Sequence, residues 1–246
     1  MSQTNKIQVP VLECQAVERR FGGIIALNGI DMRIEQGEIF GLVGPNGCGK
    51  TTLTNAITGF YPPQRGRILL NGGDITGTAP HRVATMGVAR TFQNLALFNG
   101  MSVLDNILLG RHVHMRPSVM RTALYWWLAR KDECKHRAIV EDAIDFLQLE
   151  SVRDELVDGI PIGLKKRVEL ARALAAEPSF LILDEPMAGM NQEEKEYMAR
   201  FILDARDELN VTVLLIEHHM DVITGICDRM LALNYGAMIG TGIPSD

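Results

Sequence analysis

Short apolar runs separated by turn residues dominate the first third of the chain. This pattern predicts strands at 11–21, 30–34, 38–43 and 67–71, the last of them followed by the glycine pair at 72–73. A helix is predicted between the third and fourth strands, from residue 50 to about 60. The N-terminal part is therefore expected to be rich in β-structure.

The spacing of apolar residues changes to a helical period after residue 100. Ser102, with Asp105 three residues later, is typical of a helix start. Further on, apolar residues recur at helical spacing, at Val140, Ala143, Ile144 and Leu147. A helical subdomain is therefore predicted at about 95–160.

Helix and strand alternate in the last third of the chain. A helix is predicted around Leu164, Val168, Ala171 and Ala175, and buried strands at 180–183 and 211–216. Between these strands, a helix is expected to begin near Asn191, with Glu194 completing a capping box, and to bury Met198, Phe201, Ile202 and Ala205. Such alternation is typical of parallel α/β proteins. We therefore expect a single domain, 1–246, with an α/β core and β subdomain in 1–94 and 161–246.

Composition limits the partners and the compartment. The 246 residues carry 25 Lys and Arg against 30 Asp and Glu, a net charge of -5, so no overall basic field favours nucleic acid. The longest apolar run, 123–129, has seven residues, whereas a membrane-spanning helix needs about 20. The N-terminus lacks the apolar core of a secretory signal. Four scattered cysteines without CxxC pairing are expected to be free thiols in the cytoplasm.

A glycine-rich segment after the third predicted strand carries the clearest chemistry. It matches G-x-x-x-x-G-K-[ST] and consists of Gly44, Pro45, Asn46, Gly47, Cys48, Gly49, Lys50, Thr51 and Thr52. Glycines allow successive backbone N–H groups to face a phosphate, and the helix N-terminus adds partial positive charge. Lys50 supplies a full charge, and the Thr51 hydroxyl can bind Mg²⁺. The segment therefore predicts a phosphate loop.

Two adjacent acids follow the predicted strand at 180–183. Asp184 is predicted to hold Mg²⁺, and Glu185 to polarise the attacking water as general base. Taken alone, such a pair is also compatible with a solvated turn. Together with the phosphate loop it predicts a nucleoside triphosphatase.

Three further segments make the chain resemble the ATP-binding cassette family. They are ARTFQN with Gln93, LLIEHH with His218, and RVELARAL shortly before LILDEP. The resemblance implies an α/β P-loop NTPase fold with a RecA-like core, an N-terminal antiparallel β subdomain and an inserted helical subdomain. It also implies that Gln93 senses metal and γ-phosphate, that His218 contacts γ-phosphate, and that Phe21 stacks on adenine. His219 falls outside the family pattern, and His112 and His114 are interpreted as solvated surface.

The chain departs from the family at the signature. Members carry L-S-G-G-Q, and this chain has IPIGL in the aligned place. The expected contacts to a partner site are Pro161, Ile162, Gly163 and Leu164. Proline lacks both the serine hydroxyl and the N–H. In the family, two cassettes face head to tail, and each site joins one chain's phosphate loop to the other's signature. We therefore expect the Glu185 site to be competent and the site completed by IPIGL to be weaker.

Longer stretches narrow the resemblance to the ATPases of importers for branched-chain amino acids and related small hydrophobic or aromatic carboxylates. These are FGGIIALNGIDMRIEQGEIFGLVGPNG, TFQNLALFNGMSVLDNILLG and LDEPMAGMNQEEKE. The resemblance implies ATP and Mg²⁺ as ligands, a second cassette as homo- or heterodimer partner, two membrane permeases, and an extracytoplasmic solute-binding protein as an indirect partner. It places the chain peripherally on the cytoplasmic face of the membrane. Such cassettes continue by a short helix, so an extension past Asp246 is expected.

Some interpretations stay open. Cys48 is read as a substitute for a small residue, and its alkylation is predicted to inhibit ATP hydrolysis, with bound ATP protecting. Trp126 and Trp127 either pack inside the helical subdomain or help to form a permease docking surface. The alternatives for function are the ATPase of a lipopolysaccharide-type exporter, a soluble non-transport cassette, and a regulatory subunit with little hydrolysis.

Overall fold

The structure is a computed structural model that describes residues 9–93, 95–114, 126–218 and 220–244; for 126–132 it describes the helical backbone without the side chains. The predictions on the N-terminus, on His219 and on the side chains of Trp126 and Trp127 lie outside the described residues. Contacts group the chain into two compact units, residues 1–83 with 205–246 and residues 84–204. The predicted helical subdomain falls inside the second unit, and its boundaries stay predictions.

The described elements follow one another in this order. The strands are β1 (Leu12–Phe21), β2 (Ile24–Ile34), β3 (Ile39–Val43), β4 (Arg65–Leu70), β5 (Gly73–Asp74), β6 (Val88–Arg90), β7 (Phe180–Asp184), β8 (Thr212–Ile216), β9 (Arg229–Asn234) and β10 (Ala237–Gly242). The helices are α1 (Lys50–Ile57), α2 (Pro80–Thr85), α3 (Val103–Leu108), α4 (Trp126–Phe146), α5 (Ile162–Leu174), α6 (Gln192–Leu209) and α7 (Met220–Ile226). Short 3₁₀ helices occupy Leu109–His114 and Glu150–Val152. All strands and helices predicted above are confirmed, and β2 begins six residues earlier than expected.

The first unit contains an antiparallel sheet with the strand order β2-β1-β4-β5. β1 and β2 form a hairpin in which Leu12 lies opposite Ile34 and Phe21 opposite Ile24. Gly22, with a φ of 57°, allows the tight turn between these strands. The expected antiparallel β subdomain is thus confirmed.

The same unit also contains parallel strands. β3 pairs in parallel with β8 and with β9, and β10 closes the group antiparallel to β9. Every residue of β3 and β8 is buried, as expected for parallel strands covered on both faces. Full burial of side chains such as Phe40 and Leu42 stabilises the unit by about 1.5–3 kcal/mol each. The phosphate loop therefore starts from a rigid strand.

The second unit combines a parallel strand pair with helices. β6 pairs in parallel with β7, with Arg90 opposite Ile182. Ser102 caps α3 by accepting a hydrogen bond from the Asp105 amide at 3.1 Å. The capping box of α6 is also confirmed, because Asn191 Oδ1 accepts from the Glu194 amide and Glu194 Oε2 from the Asn191 amide, both at 2.9 Å.

The apolar residues predicted for the helices are buried, except Leu164 on α5, which is half-buried. On α4 these are Val140, Ala143 and Ile144, with Leu147 just beyond its end, and on α6 they are Met198, Phe201, Ile202 and Ala205. Within the ranges described above, no helix is long and apolar enough to cross a membrane.

Candidate functional site

The phosphate loop connects the buried strand β3 to the first turn of α1. Its backbone is folded in conformations that favour glycine, with φ of 148° at Gly44, 79° at Gly47 and 113° at Gly49. A Cβ at Gly49 would lie 2.6 Å from the carbonyl oxygen of Ala26, so a side chain does not fit there. These glycines therefore allow the backbone conformation of the phosphate loop that the motif predicted.

Lys50 lies folded over this loop. Its Nζ donates to the carbonyl oxygens of Gly44 at 2.7 Å and Pro45 at 3.1 Å. The side chain is buried, so its ammonium charge is held inside the loop rather than in bulk solvent. The first-turn N–H groups of α1 lack intrahelical partners, and with Lys50 they make the loop suited to an anion.

Cys48 is buried within the loop and not displayed on its surface. Only 2% of the residue is exposed, and Sγ lies 3.9 Å from Lys50 Nζ. The carbonyl of Cys48 accepts from the Gly236 amide at 2.8 Å, which joins the loop to the turn between β9 and β10. All four cysteines are free, as predicted.

Phe21 lies at the end of β1 and is 40% exposed, so it is not a core residue. Tyr61 meets its ring edge-on, with 5.6 Å between the ring centroids. The Arg19 guanidinium lies 4.8 Å from the centroid of the Phe21 ring. Sequence reasoning missed Arg19 and Tyr61, since Tyr61 stands 40 positions beyond Phe21 and no spacing rule connects them.

His218 lies two residues after the end of β8 and is exposed. Its backbone amide donates to Glu217 Oε2 at 3.3 Å, and Glu217 itself is buried. The end of a rigid parallel strand thus presents the histidine side chain to the surface. This position agrees with the expected role but does not test it.

Asp184 ends β7, where Arg90 of the neighbouring strand reaches it. Arg90 Nη2 lies 2.9 Å from Asp184 Oδ2, and the two side chains are 6% and 5% exposed. The Asp184 amide also donates to the Thr91 hydroxyl oxygen at 3.2 Å. The carboxylate predicted to hold Mg²⁺ is therefore fixed by a buried guanidinium, which sequence reasoning missed.

Glu185 and Gln93 lie together although 92 positions separate them. Gln93 Nε2 donates to Glu185 Oε2 at 3.1 Å. Glu185 has a φ of 52°, a left-handed conformation that is uncommon for residues other than glycine. Such conformations persist where the surrounding structure holds them, and they concentrate at functional sites. The structure thus brings together the predicted general base and the predicted sensor.

The signature segment begins α5. Pro161 is its N-cap residue, and no side chain caps this helix end. Ile162 is exposed, whereas Gly163 is buried against the side chain of Glu194. The first turn of α5 therefore keeps its own N–H groups and helix dipole, but it lacks the hydroxyl that a serine would add.

Two charged residues further along α5 were not predicted as site residues. Lys166 and Glu169 are both buried, and Lys166 Nζ lies 3.8 Å from Glu169 Oε2. Burial raises the pKa of the Glu169 carboxyl, and the Lys166 ammonium opposes that rise. Their three-residue spacing on a helix is the only sequence signal for the pair.

A groove of about 500 Å³ lies within the second unit, beside the segment that carries Gln93. Its apolar lining includes Phe92, Phe98 and Leu109, each of them more than a third exposed. Arg172 and His112 add polar groups to the same groove. The groove is therefore a mainly apolar surface that includes the residue next to Gln93.

Comparison with known proteins agrees with these motifs. The family model described as "ABC transporter" matches residues 27–188. The high-affinity branched-chain amino acid transport ATP-binding protein BraF of Pseudomonas aeruginosa is 36% identical over 235 residues, 96% of this chain and 92% of that protein. The high-affinity branched-chain amino acid transport ATP-binding protein LivG of Escherichia coli (strain K12) is 34% identical over 235 residues, which cover 96% of this chain and 92% of that protein.

A solved structure gives the same result for the fold. It is a nucleotide-free ATP-binding cassette from an ABC transporter, with a TM-score of 0.83, 28% identity and coverage of 96% of each chain. The expected α/β P-loop fold with an antiparallel β subdomain is thereby confirmed. Because the family model spans more than half of the chain and both relatives align with nearly all of it, the chain belongs to the ABC transporter family and is an ATP-hydrolysing cassette.

Proposed function

We propose that this cassette powers an importer for branched-chain amino acids or related small hydrophobic or aromatic carboxylates. The observation that carries the proposal is the 36% identity to BraF across 96% of the chain. The alignment covers nearly the full length of both proteins, so it extends beyond the nucleotide motifs to the outer surfaces of the cassette. Those outer surfaces are the parts that would recognise a particular permease.

The phosphate loop and Phe21 would bind ATP. Residues 44–52 present backbone N–H groups and the Lys50 ammonium to the phosphates. Phe21 offers an exposed ring for stacking on adenine, and Tyr61 at its edge fixes the orientation of that ring.

Thr51, Asp184 and Gln93 would hold Mg²⁺. Their hydroxyl, carboxylate and amide oxygens are the donor types that this ion prefers, which fits the expected metal. Arg90 Nη2 donates to Oδ2 of Asp184 and holds the carboxylate in one orientation. When bound, Mg²⁺ neutralises negative charge on the β- and γ-phosphates.

Glu185 would act as general base toward the attacking water. The hydrogen bond from Gln93 Nε2 to Glu185 Oε2, at 3.1 Å, would orient this carboxylate toward the water. His218 would contact the γ-phosphate from the end of β8.

A second cassette and two permeases would complete the transporter. The signature segment at 160–164 would approach the phosphate loop of the second cassette through the first turn of α5. The groove beside Phe92 would receive a cytoplasmic segment of a permease, so that its movement reaches Gln93 through one peptide bond. The cassette would then lie peripherally at the cytoplasmic face, with a solute-binding protein as an indirect partner.

The test is solute uptake by a reconstituted complex. The chain is co-expressed with candidate permeases, purified and placed in liposomes with ATP inside and with [¹⁴C]leucine and the solute-binding protein outside. We expect ATP-dependent uptake that falls by at least about a hundredfold in Glu185→Gln, since general-base catalysis contributes about 10²–10⁴-fold.

The exposed Glu208→Gln provides the matched control and is expected to leave uptake unchanged. Uptake that persists in Glu185→Gln would contradict the catalytic assignment. Failure to recover any permease with the chain would contradict the transport function and favour a soluble non-transport cassette. ATP hydrolysis without uptake of any hydrophobic or aromatic carboxylate would contradict the solute class.

A further inference from the structure

Lys166 and Glu169 form an ion pair inside the second unit, away from solvent. Their side chains are 4% and 2% exposed, and Lys166 Nζ lies 3.8 Å from Glu169 Oε2. Removing two charges from water is costly, and replacing such pairs by neutral groups is often harmless to stability. Stability alone therefore does not account for this pair, and its contacts indicate another role.

Glu169 holds the backbone on both sides of Gln93. Its Oε1 accepts a hydrogen bond from the Phe92 amide at 3.2 Å, and the carboxylate also interacts with the backbone of Ala96. Arg172, one turn further along α5, donates from Nη1 to the Ala96 carbonyl at 2.5 Å. Helix α5 therefore anchors the chain immediately before Gln93 and again three residues after it.

Lys166 reaches the backbone of Glu185. Its Nζ lies 3.4 Å from the Glu185 carbonyl oxygen, a long hydrogen bond with a full charge on the donor. The Ala188 amide donates to the same oxygen at 3.2 Å. These two donors hold the peptide that follows the left-handed backbone of Glu185, where φ is 52°.

We infer that Lys166 and Glu169 are positioning residues that set the geometry of the Gln93–Glu185 pair from helix α5. The inference rests on the proposed roles of Gln93 and Glu185. Since α5 begins within the signature segment, one rigid helix carries both the surface offered to a second cassette and the groups that hold this chain's own base and sensor. Contact at the signature is thereby linked to the catalytic carboxylate through the first two turns of this helix.

The test separates catalysis from nucleotide binding. The double variant Lys166→Met/Glu169→Gln removes both charges together, which avoids an unpaired buried charge. ATP hydrolysis by the reconstituted permease complex is measured over a range of ATP concentrations. We expect kcat to fall by about 10- to 100-fold, because small misplacements of catalytic groups have effects of this size. We expect KM for ATP to stay within about twofold, since the phosphate loop and Phe21 are unchanged.

Three further variants complete the design. Lys135→Met makes the same chemical change at an exposed position of α4 and is expected to leave kcat unchanged. Lys166→Arg retains the charge and is expected to recover most of the lost kcat. Glu185→Gln tests the proposed function independently of the inference.

The outcomes separate the two ideas. A folded double variant with kcat within about twofold of the parent would overturn the inference, and so would equal losses in Lys166→Arg and the double variant. If the double variant does not fold, Glu169→Asp decides by the same kcat and KM criterion, because it keeps the buried charge pair but shortens the side chain that reaches the Phe92 amide. Full activity in Glu185→Gln would instead overturn the proposed catalytic roles.

Discussion

Burial divides the four thiols of this cassette into reactive and unreactive groups. Burial raises the pKa of both Cys14 and Cys227 to about 12, so both thiols stay protonated and unreactive at neutral pH. Cys48 is buried within the phosphate loop, whereas Cys134 is exposed on α4. The predicted inhibition through Cys48 therefore requires the loop to open, and Cys134 is expected to react first.

We expect N-ethylmaleimide to label Cys134 within minutes without loss of ATP hydrolysis. Slower labelling of Cys48 is expected to accompany inactivation. Bound ATP is expected to delay both the labelling of Cys48 and the inactivation. Peptide mass mapping against residual activity measures the order. Cys134→Ser should leave the rate of inactivation unchanged, and Cys48→Ala should abolish inactivation. Inactivation that disappears in Cys134→Ser would contradict this assignment.

The Arg90–Asp184 pair is a feature of the candidate site that the motif around Asp184 does not reveal. Asp184 was predicted from its place after an apolar strand, but its partner lies 94 positions earlier on β6. Removing one partner of a buried pair leaves an uncompensated charge, at a cost of about 3–5 kcal/mol. Arg90 is thus part of the structural basis of the carboxylate site, even though no motif names it.

At the scale of elements, the groove beside Phe92 leads to a prediction about assembly. Leu109→Ser removes an apolar side chain from its lining and is expected to weaken permease binding by about tenfold or more, since burying a leucine contributes about 1.5–3 kcal/mol. Basal ATP hydrolysis of the isolated chain should not change. Recovery of the chain with immobilised permease complex, at graded concentrations, measures the effect.

The matched control for this prediction is Leu156→Ser, because Leu156 is also exposed but does not line the groove. Equal recovery of the Leu109 and Leu156 variants would show that the groove does not bind the permease.

Strong periodic patterns predicted the long elements well, and non-local pairing explains what they missed. α4, α5 and α6 followed from apolar spacing, and the capping residues Ser102 and Asn191 marked two helix starts. β6 has only three residues and exists because it pairs with β7, about 90 positions later. No local pattern can indicate such a strand.

The candidate site likewise combines local motifs, which the sequence predicted, with long-range contacts, which it did not. The phosphate loop was predictable because its residues are consecutive, and Gln93 and His218 were assigned through the family resemblance. The Gln93–Glu185 hydrogen bond and the Glu169–Phe92 contact join residues 92 and 77 positions apart. Spacing carries no information on contacts at such separations, so these had to come from the structure.

At the scale of the whole transporter, the signature substitution predicts unequal sites in a heterodimer. The site built on this chain's phosphate loop and Glu185 would be completed by the partner's signature. The other site would be completed by residues 160–164 of this chain, where Pro161 has neither a hydroxyl nor an N–H to donate. Gly163 and the first turn of α5 still attract an anion there, so nucleotide binding is expected at both sites but efficient hydrolysis at only one.

We therefore expect Glu185→Gln to reduce ATP turnover of the heterodimeric complex by about a hundredfold, and the equivalent change in the partner to reduce it less than about threefold. Adding Pro161→Ser to the Glu185→Gln chain should recover part of the turnover, because serine supplies both missing donors to the partner's site. Pro63→Ser, the same change at a half-buried position outside the signature segment, should recover none. Steady-state phosphate release by the parent complex and by the four variant complexes measures these differences in ATP turnover. The asymmetry would be refuted if the change in the partner abolished turnover while Glu185→Gln left it intact, since IPIGL would then complete the more active site.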